Sequence, residues 1–460
     1  MRMVLTDFPL DELSAELQEG QLLLDADRIE SFRRDRTTAV SPGTPCAVVE
    51  ALSAIDVVTT MQWATRYRVP VVIRGGGTSL AGGATALDGG IVLSVARMNS
   101  IREMAADERL AVVEPGVITV DLDAAARAHD LMYAPDPSSY ESCTIGGNLA
   151  TNAGGLRCLK YGVTRESVLG MEVVLADGTR VRTGRRTSKG VVGYDLTALF
   201  VGSEGTLGVI VSATMRLRPA PRSAPVTVLA TFRSVVRAGE AAFSILRCGI
   251  EPSILELMDG TTTRAIDEWK HFGAGPQVAA MIIAQYDGRD GALAGSEIAE
   301  QCHLAGADEV LLSTSESESR QLLDLRRLAY PAIERLGSCL VEDVCVPIPA
   351  LPAMIEKIAT VAATHEVVIA TVAHAGDGNL HPIFVFDHGL AQPPDKVWAA
   401  ADEVFREALA LGGTLTGEHG VGSIKRRWLT QELSEESLAL HHTVKRALDP
   451  LGILNPGRGI

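Results

Sequence analysis

The sequence predicts an α+β protein built in two successive parts, and three observations carry that prediction. A buried apolar strand, Val69–Arg74, runs directly into the stretch Gly75-Gly76-Gly77-Thr78-Ser79-Leu80-Ala81-Gly82-Gly83. The segment Arg218-Pro219-Ala220-Pro221 then interrupts the chain, because prolines end a strand and stiffen a connection. Beyond it the pattern reads strand, helix, strand, strand, helix, strand, the order of an antiparallel sheet with helices on one face. The expected division is a lead-in over 1–41, a first domain over 42–219 and a second over 220–460.

The elements follow in order. Residues 1–41 read as a polar, partly helical lead-in. Val57–Arg66 has the spacing of a helix, and Ile91–Val95 and Ala111–Val113 those of strands, the last ended by Glu114-Pro115-Gly116. Val120–His129 reads as a helix. Met171–Leu175 and Arg180–Thr183 flank Asp177-Gly178, a strong hairpin signal. In the second part the pieces are Val226–Phe232, Val235–Arg247, Ile254–Met258, Val278–Tyr286, Leu293–Ala305 and Val310–Ser313. Near the end, Glu435–Leu448 reads as an amphipathic helix closed by Asp449-Pro450-Leu451-Gly452.

Composition narrows the function classes. A chain of 460 residues, 46% hydrophobic and 22% charged, can bury a sizeable core without staples. The net charge of −15 argues against nucleic acid and against an anionic membrane surface, both of which reward Lys/Arg patches. An anionic small molecule stays admissible, since a site needs only a few local cations. The seven cysteines show no Cys-x-x-Cys spacing, which disfavours disulfides, structural zinc and an iron–sulfur cluster and favours buried free thiols. Met1 to Gly20 carries Asp7, Asp11, Glu12 and Glu16 and no basic leader with an apolar core. With no apolar run of about 20 residues, a cytoplasmic location is expected, with a peripheral position at the inner membrane face left open.

Glycine admits positive φ and lets bare N–H groups approach an anion, so the loop after Arg74 reads as a pyrophosphate cradle. It is neither of two common phosphate motifs. Leu80 stands where Gly-x-Gly-x-x-Gly needs its third glycine, and no Lys-Ser/Thr follows Gly82 as a P-loop demands. A flexible surface turn is the plain alternative. Two further segments favour the cradle. One is Pro135-Asp136-Pro137-Ser138-Ser139 with Cys143-Thr144-Ile145-Gly146-Gly147-Asn148-Leu149-Ala150-Thr151-Asn152-Ala153-Gly154-Gly155. The other is Phe200-Val201-Gly202-Ser203-Glu204-Gly205-Thr206-Leu207-Gly208-Val209-Ile210. Three glycine-rich, hydroxyl-bearing loops suit one extended ligand, and a dinucleotide fits better than a single phosphate.

Together the three segments, over about residues 42–219, resemble the FAD-binding domain of the p-cresol methylhydroxylase/vanillyl-alcohol oxidase superfamily. The resemblance implies FAD as cofactor. It implies that Arg74, Gly75, Gly76, Gly77, Thr78 and Ser79 line the pyrophosphate, and that Pro137, Thr144, Gly147, Asn148, Gly154 and Ile210 line the rest, with Asn152 and Glu204 in the same loops. Some relatives tether the flavin to a histidine just after the glycines. Thr78 stands there, so noncovalent FAD is expected.

The second part carries His374-Ala375-Gly376-Asp377-Gly378-Asn379-Leu380-His381-Pro382, two histidines bracketing a tight turn between the strands Val367–Ala373 and Ile383–Phe386. Later comes Gly413-Thr414-Leu415-Thr416-Gly417-Glu418-His419-Gly420-Val421-Gly422. On a regular strand Glu418 and His419 would face opposite ways, but Gly417 and Gly420 permit an irregular backbone. Two histidines and a carboxylate suit a divalent ion. Hydrogen-bonded turn histidines are the competing reading.

These motifs, with Leu448-Asp449-Pro450-Leu451-Gly452-Ile453-Leu454-Asn455-Pro456-Gly457, resemble the C-terminal domain shared by D-lactate dehydrogenases, D-2-hydroxyglutarate dehydrogenases and the D subunit of glycolate oxidase. The resemblance now spans nearly the whole chain. It implies that His374, His381 and Glu418 hold a zinc- or manganese-like ion, that His419 is the base, that Arg326 binds the substrate carboxylate, and that Asn455 lies near the flavin as the C-terminal helical segment returns to it. A solvated helix arginine paired with an acid is the alternative for Arg326.

The implied reaction is oxidation of a D-2-hydroxy acid to the 2-oxo acid, with hydride passing to the flavin. The dicarboxylate branch has a lysine where this chain reads Cys339-Leu340-Val341-Glu342-Asp343-Val344-Cys345, so lactate- or glycolate-like monoacids are favoured. Electrons must leave to a quinone, a carrier protein, a partner subunit or oxygen, and a homodimer is compatible with the sequence. Two rival readings are a nonredox enzyme like alkyl-glycerone-phosphate synthase and a flavin subunit of a larger electron-transfer complex. The first depends on a histidine triplet, and this chain has only His441-His442, on an expected surface helix.

Overall fold

In the computed structural model, which describes residues 8–460, the chain forms two compact units that are not contiguous in sequence. The first runs to Gly154, resumes at Val163–Ala220 and is completed by His419–Ile460; the second comprises Gly155–Gly162 and Pro221–Glu418. The class is α+β, as expected.

The first unit holds two main sheets. In one, the parallel strands Ala47–Glu50, Ile91–Ser94 and Val71–Arg74 are flanked by Leu22–Leu23, which pairs antiparallel with Ala47–Glu50. The lead-in is thus part of the sheet. The helix Ala54–Tyr67 begins with a capping box, in which Ser53 accepts from the Asp56 amide and Asp56 accepts from the Ser53 amide. One face of that helix, with Val57, Met61 and Ala64, is fully buried against Val49, Val71 and Leu93. The second sheet is antiparallel, in the order Ile101–Ala105, Leu110–Val113, Val209–Arg216, Val168–Val174, Arg180–Gly184. Its last two strands make the hairpin anticipated at Asp177-Gly178, with Gly178 at φ +86.

The C-terminal segment closes this unit. After the helix Glu435–Leu448, residues 453–455 lie beside the glycine-bearing strand: the Val71 amide donates to the Ile453 carbonyl at 2.8 Å and the Asn455 amide to the Val71 carbonyl at 2.8 Å. Lys445 braces the return, its ammonium donating to the Thr206 carbonyl at 2.7 Å and the Leu454 carbonyl at 2.9 Å. His441 and His442 are exposed, as the helical reading anticipated.

The second unit is built on an antiparallel sheet whose order is Glu309–Ser313, Val226–Phe232, Ala280–Tyr286, Ile254–Asp259, Val368–His374, Asn379–Phe386, Ser338–Val341, with Val344–Cys345 also paired to Asn379–Phe386. Strands inside the sheet are buried on both faces; every residue of Val226–Phe232 is buried. One helix, Gly260–Lys270, departs from the expected strand-after-strand reading. Asp259 accepts from the Thr262 amide at 2.8 Å and caps the helix there.

Candidate functional site

In the first unit, Val71 and Val72 are fully buried whereas 75–80 is partly or fully exposed, so the strand delivers its glycine backbone to an open surface. The loop packs too closely for side chains. A Cβ on Gly75 would meet the Thr144 hydroxyl, one on Gly76 the Ser142 carbonyl, and Gly77 sits at φ +69 under the Arg74 guanidinium. The first and second loops therefore lie against each other, as one ligand spanning both requires. Thr144 caps the short helix Ile145–Thr151 by accepting from the Gly147 amide at 3.2 Å. Asn152 ends that helix at φ 53, its side chain accepting from the Arg165 amide at 2.9 Å. This bare-backbone cradle fits a dinucleotide pyrophosphate.

Several sequence-predicted cofactor residues act on the cradle through the protein itself. Glu204, at φ 53, accepts from the Val421 amide at 2.9 Å and the Gly422 amide at 2.7 Å, tying the third loop to the returning chain. Burial pushes its carboxyl above the usual range, against the pull of those amides and Lys425. Asn455 accepts from the Ile73 amide at 3.1 Å and donates to the Glu204 carbonyl at 2.6 Å. Asn148 donates to the Thr119 hydroxyl at 2.8 Å. Arg74 donates to the Arg34 carbonyl at 2.8 Å and lies near Asp35. Pro137 turns its loop by accepting from the Tyr140 amide at 2.8 Å, Gly154 closes the first stretch of the unit, and Ile210 is buried in Val209–Arg216. Gly75 to Ser79 and Gly147 are partly or fully exposed, so their backbone is open to a ligand.

In the second unit, strands Val368–His374 and Asn379–Phe386 pair with Val372 opposite His381 and His374 opposite Asn379. Directly opposed residues share a face, and so do residues two apart, so both histidines stand on one face of the sheet. Their rings meet edge to face, with centroids 5.1 Å apart. Both are about 5% exposed. The neighbouring strand places Glu256 opposite His374 on that face. Glu418 arrives from an irregular segment: Asp343 accepts from the Gly417 amide at 2.7 Å and the Glu418 amide at 2.8 Å.

The three predicted ligand residues converge. The Glu418 carboxylate lies 3.4 Å from His374 Nε2 and 3.3 Å from His381 Nε2, and the donor atoms fall within 4.8 Å of one another. Ligands about 2.0–2.1 Å from a tetrahedral zinc sit roughly 3.3 Å apart, so the two Glu418–histidine separations suit such an ion, as does the chemistry of the donors. The electrostatics agree. Burial alone would hold His374 neutral, but the charges of Glu256 and Glu418 and their hydrogen bonds push its pKa well above the ordinary imidazole value. A pocket that draws a proton onto a buried imidazole is a pocket that favours a cation. Asp377, in the connecting turn, is pushed up to about 6 by burial and by Glu256 and Glu418.

Arg326, on the helix Glu316–Arg327, is buried, not solvated, and its Nε donates to Glu256 at 2.7 Å. Its two Nη groups make no hydrogen bond among the described residues. His419 follows Glu418 in the chain and is partly exposed. The linear reading missed Glu256 and Asp343 as parts of this site. Glu256 had a signal, a lone carboxylate in the apolar run Ile254-Leu255-Glu256-Leu257-Met258. Asp343 enters the linear reading only within a stretch that lacks a cation.

The described cysteines are all free thiols, and burial pushes Cys46 and Cys345 up to about 11 and Cys302 and Cys339 up to about 12, far from thiolate chemistry. No helix among the described residues is long and apolar enough to cross a membrane.

Comparison with known proteins places these units. The family described as "FAD linked oxidases, C-terminal domain" matches residues 221–458, and "FAD binding domain" matches 45–184. Glycolate oxidase subunit GlcD of Bacillus subtilis is 40% identical over 421 residues, covering 90% of this chain and 88% of the relative. D-lactate dehydrogenase of Archaeoglobus fulgidus is 36% identical over 421 residues, covering 89% and 90%. Among solved structures, p-cresol methylhydroxylase with substrate bound superposes with TM-score 0.81 at 16% identity over 98% of this chain and 95% of that one, a likeness of fold. The chain therefore belongs to the FAD-linked oxidases, with an FAD-binding domain of the p-cresol methylhydroxylase fold, in the family that holds the GlcD chains of glycolate oxidase and the D-lactate dehydrogenases.

Proposed function

We propose that this chain oxidises a D-2-hydroxy acid of the lactate or glycolate kind to the 2-oxo acid, with noncovalent FAD and a divalent, zinc- or manganese-like ion. One observation carries the reading: His374, His381 and Glu418 present three donor atoms at ion-ligand spacing beside Arg326. The relatives named glycolate oxidase subunit GlcD and D-lactate dehydrogenase agree with it in substrate class.

Bound FAD supplies a two-electron acceptor and a bound divalent ion supplies Lewis acidity toward the substrate hydroxyl. The rest falls to the protein. The Nη groups of Arg326 offer a planar fork to a single carboxylate. His419 takes the hydroxyl proton, work an imidazole does near neutral pH. The Cys339–Cys345 stretch offers no second cation, in keeping with a monoacid. The glycines of the cradle hold the pyrophosphate by backbone N–H groups.

With no cysteine motif suited to a cluster, the reduced enzyme hands its electrons on, to a quinone, a carrier protein or a partner subunit; that the GlcD relatives are subunits favours the last. The test is anaerobic bleaching of the flavin across a panel of 2-hydroxy acids, with elemental analysis of dialysed protein. Bleaching by D-lactate or glycolate, absent with dicarboxylates and lost on chelation, is the expected result. Full activity in metal-free protein would remove the ion from the mechanism.

A further inference from the structure

We propose that Glu256 is a positioning residue that joins the ion site to the carboxylate-binding arginine, fixing the tautomer of His374 with one oxygen and the aim of Arg326 with the other. The inference rests on the ion-site reading above and deepens it.

Glu256 stands in a strand whose residues Ile254–Met258 are all buried, and its own side chain is 1% exposed. An ionised carboxylate in such a place costs several kcal/mol unless it is fully paired. Its pairing is complete and two-sided. One oxygen lies 2.7 Å from His374 Nδ1 and the other accepts from Arg326 Nε at 2.7 Å. The sheet register brings Glu256 opposite His374 across a separation of 118 residues, so strand pairing itself sets the contact.

The chemistry follows from what each group can do. A carboxylate only accepts, so His374 Nδ1 must carry its hydrogen. When the imidazole is neutral, Nε2 is left as a lone pair, and Nε2 is the atom that faces Glu418 at 3.4 Å. On the other side, Arg326 is held through Nε, which fixes the plane of the guanidinium and leaves both Nη groups for a ligand. One carboxylate thereby orients an ion ligand and a substrate ligand together, and the Arg326 charge offsets the cost of burying it.

The design makes Glu256→Gln a sharp test. An amide oxygen can serve either His374 or Arg326, and the NH2 must then face the other. Facing His374 Nδ1, it forces the hydrogen onto Nε2 and removes the ligand lone pair. Facing Arg326 Nε–H, it sets donor against donor. One arm fails in either orientation.

The experiment measures Zn2+ affinity by chelator competition and the Co2+ absorption beyond the flavin bands, in wild type, Glu256→Gln and Glu256→Asp, with FAD content and melting temperature as fold controls. Displaced orienting partners of metal-bound histidines typically weaken binding about 10–100-fold. We expect that loss, an altered Co2+ spectrum and a raised substrate KM in Glu256→Gln, with partial recovery in Glu256→Asp. If Glu256→Gln does not fold, Arg326→Gln replaces it, and a several-fold loss of Zn2+ affinity without direct contact to the ion is expected. Wild-type protein that binds neither ion would overturn the ion-site reading, and this inference with it. Tight wild-type binding that is unchanged in every variant would overturn the inference alone.

Discussion

Asp343 accepts the backbone N–H of Glu418 at 2.8 Å while its other oxygen takes the Thr416 hydroxyl at 3.0 Å. A fully buried carboxylate therefore holds the irregular segment from which Glu418 reaches toward the histidines. One side chain thereby binds two backbone amides and a hydroxyl of that segment.

The first prediction follows. Asp343→Asn should leave FAD bound but free the loop, weakening divalent-ion affinity by roughly tenfold or more. Isothermal titration with Zn2+ reads the change directly. Unchanged affinity would mean that Glu418 is held by other contacts.

The base assignment gives the second. General-base catalysis contributes about 10²–10⁴-fold, so His419→Ala should slow anaerobic flavin reduction by that factor. The flavin spectrum and ion content should stay at wild-type levels. Stopped-flow reduction with substrate at saturation separates this from a binding defect.

How much of this site was legible in the sequence depends on how local each part is. The cradle was legible because a strand ending in Gly75-Gly76-Gly77 states its own backbone chemistry, and the paired histidines because only four turn residues separate the strands that carry them. Glu256 was not, since nothing in a linear chain says which strand will lie beside His374. The helix Gly260–Lys270 hid for a related reason: its cap is an aspartate at the end of a strand, and threonines at its start have low intrinsic helix propensity. Arg326 was visible as a residue type but its partner was not.

The glycine cradle yields the third prediction. A Cβ on Gly76 would meet the Ser142 carbonyl, a backbone atom that cannot swing aside as a side chain can. Gly76→Ala should displace the loop, so that the protein purifies with much less flavin. The ratio of flavin to protein absorbance, before and after incubation with added FAD, measures the loss. Full flavin content would mean that the second loop yields to the methyl group.

The fourth concerns pH. Asp259 caps the helix Gly260–Lys270, and burial pushes its carboxyl up to about 6, against the opposing hydrogen bonds from Thr262. A raised carboxyl pKa means that the folded protein favours the protonated form. The stability this contributes is complete below the unfolded value near 3.8 and is lost as pH rises through about 6. Asparagine caps helices about as well as aspartate and cannot ionise. Asp259→Asn should therefore match wild type near pH 4 and melt higher at pH 8, by an amount on the order of 1–2 kcal/mol after allowing for solvent screening. Melting temperatures of both proteins across that range decide it: parallel curves would show that Asp259 does not titrate on folding.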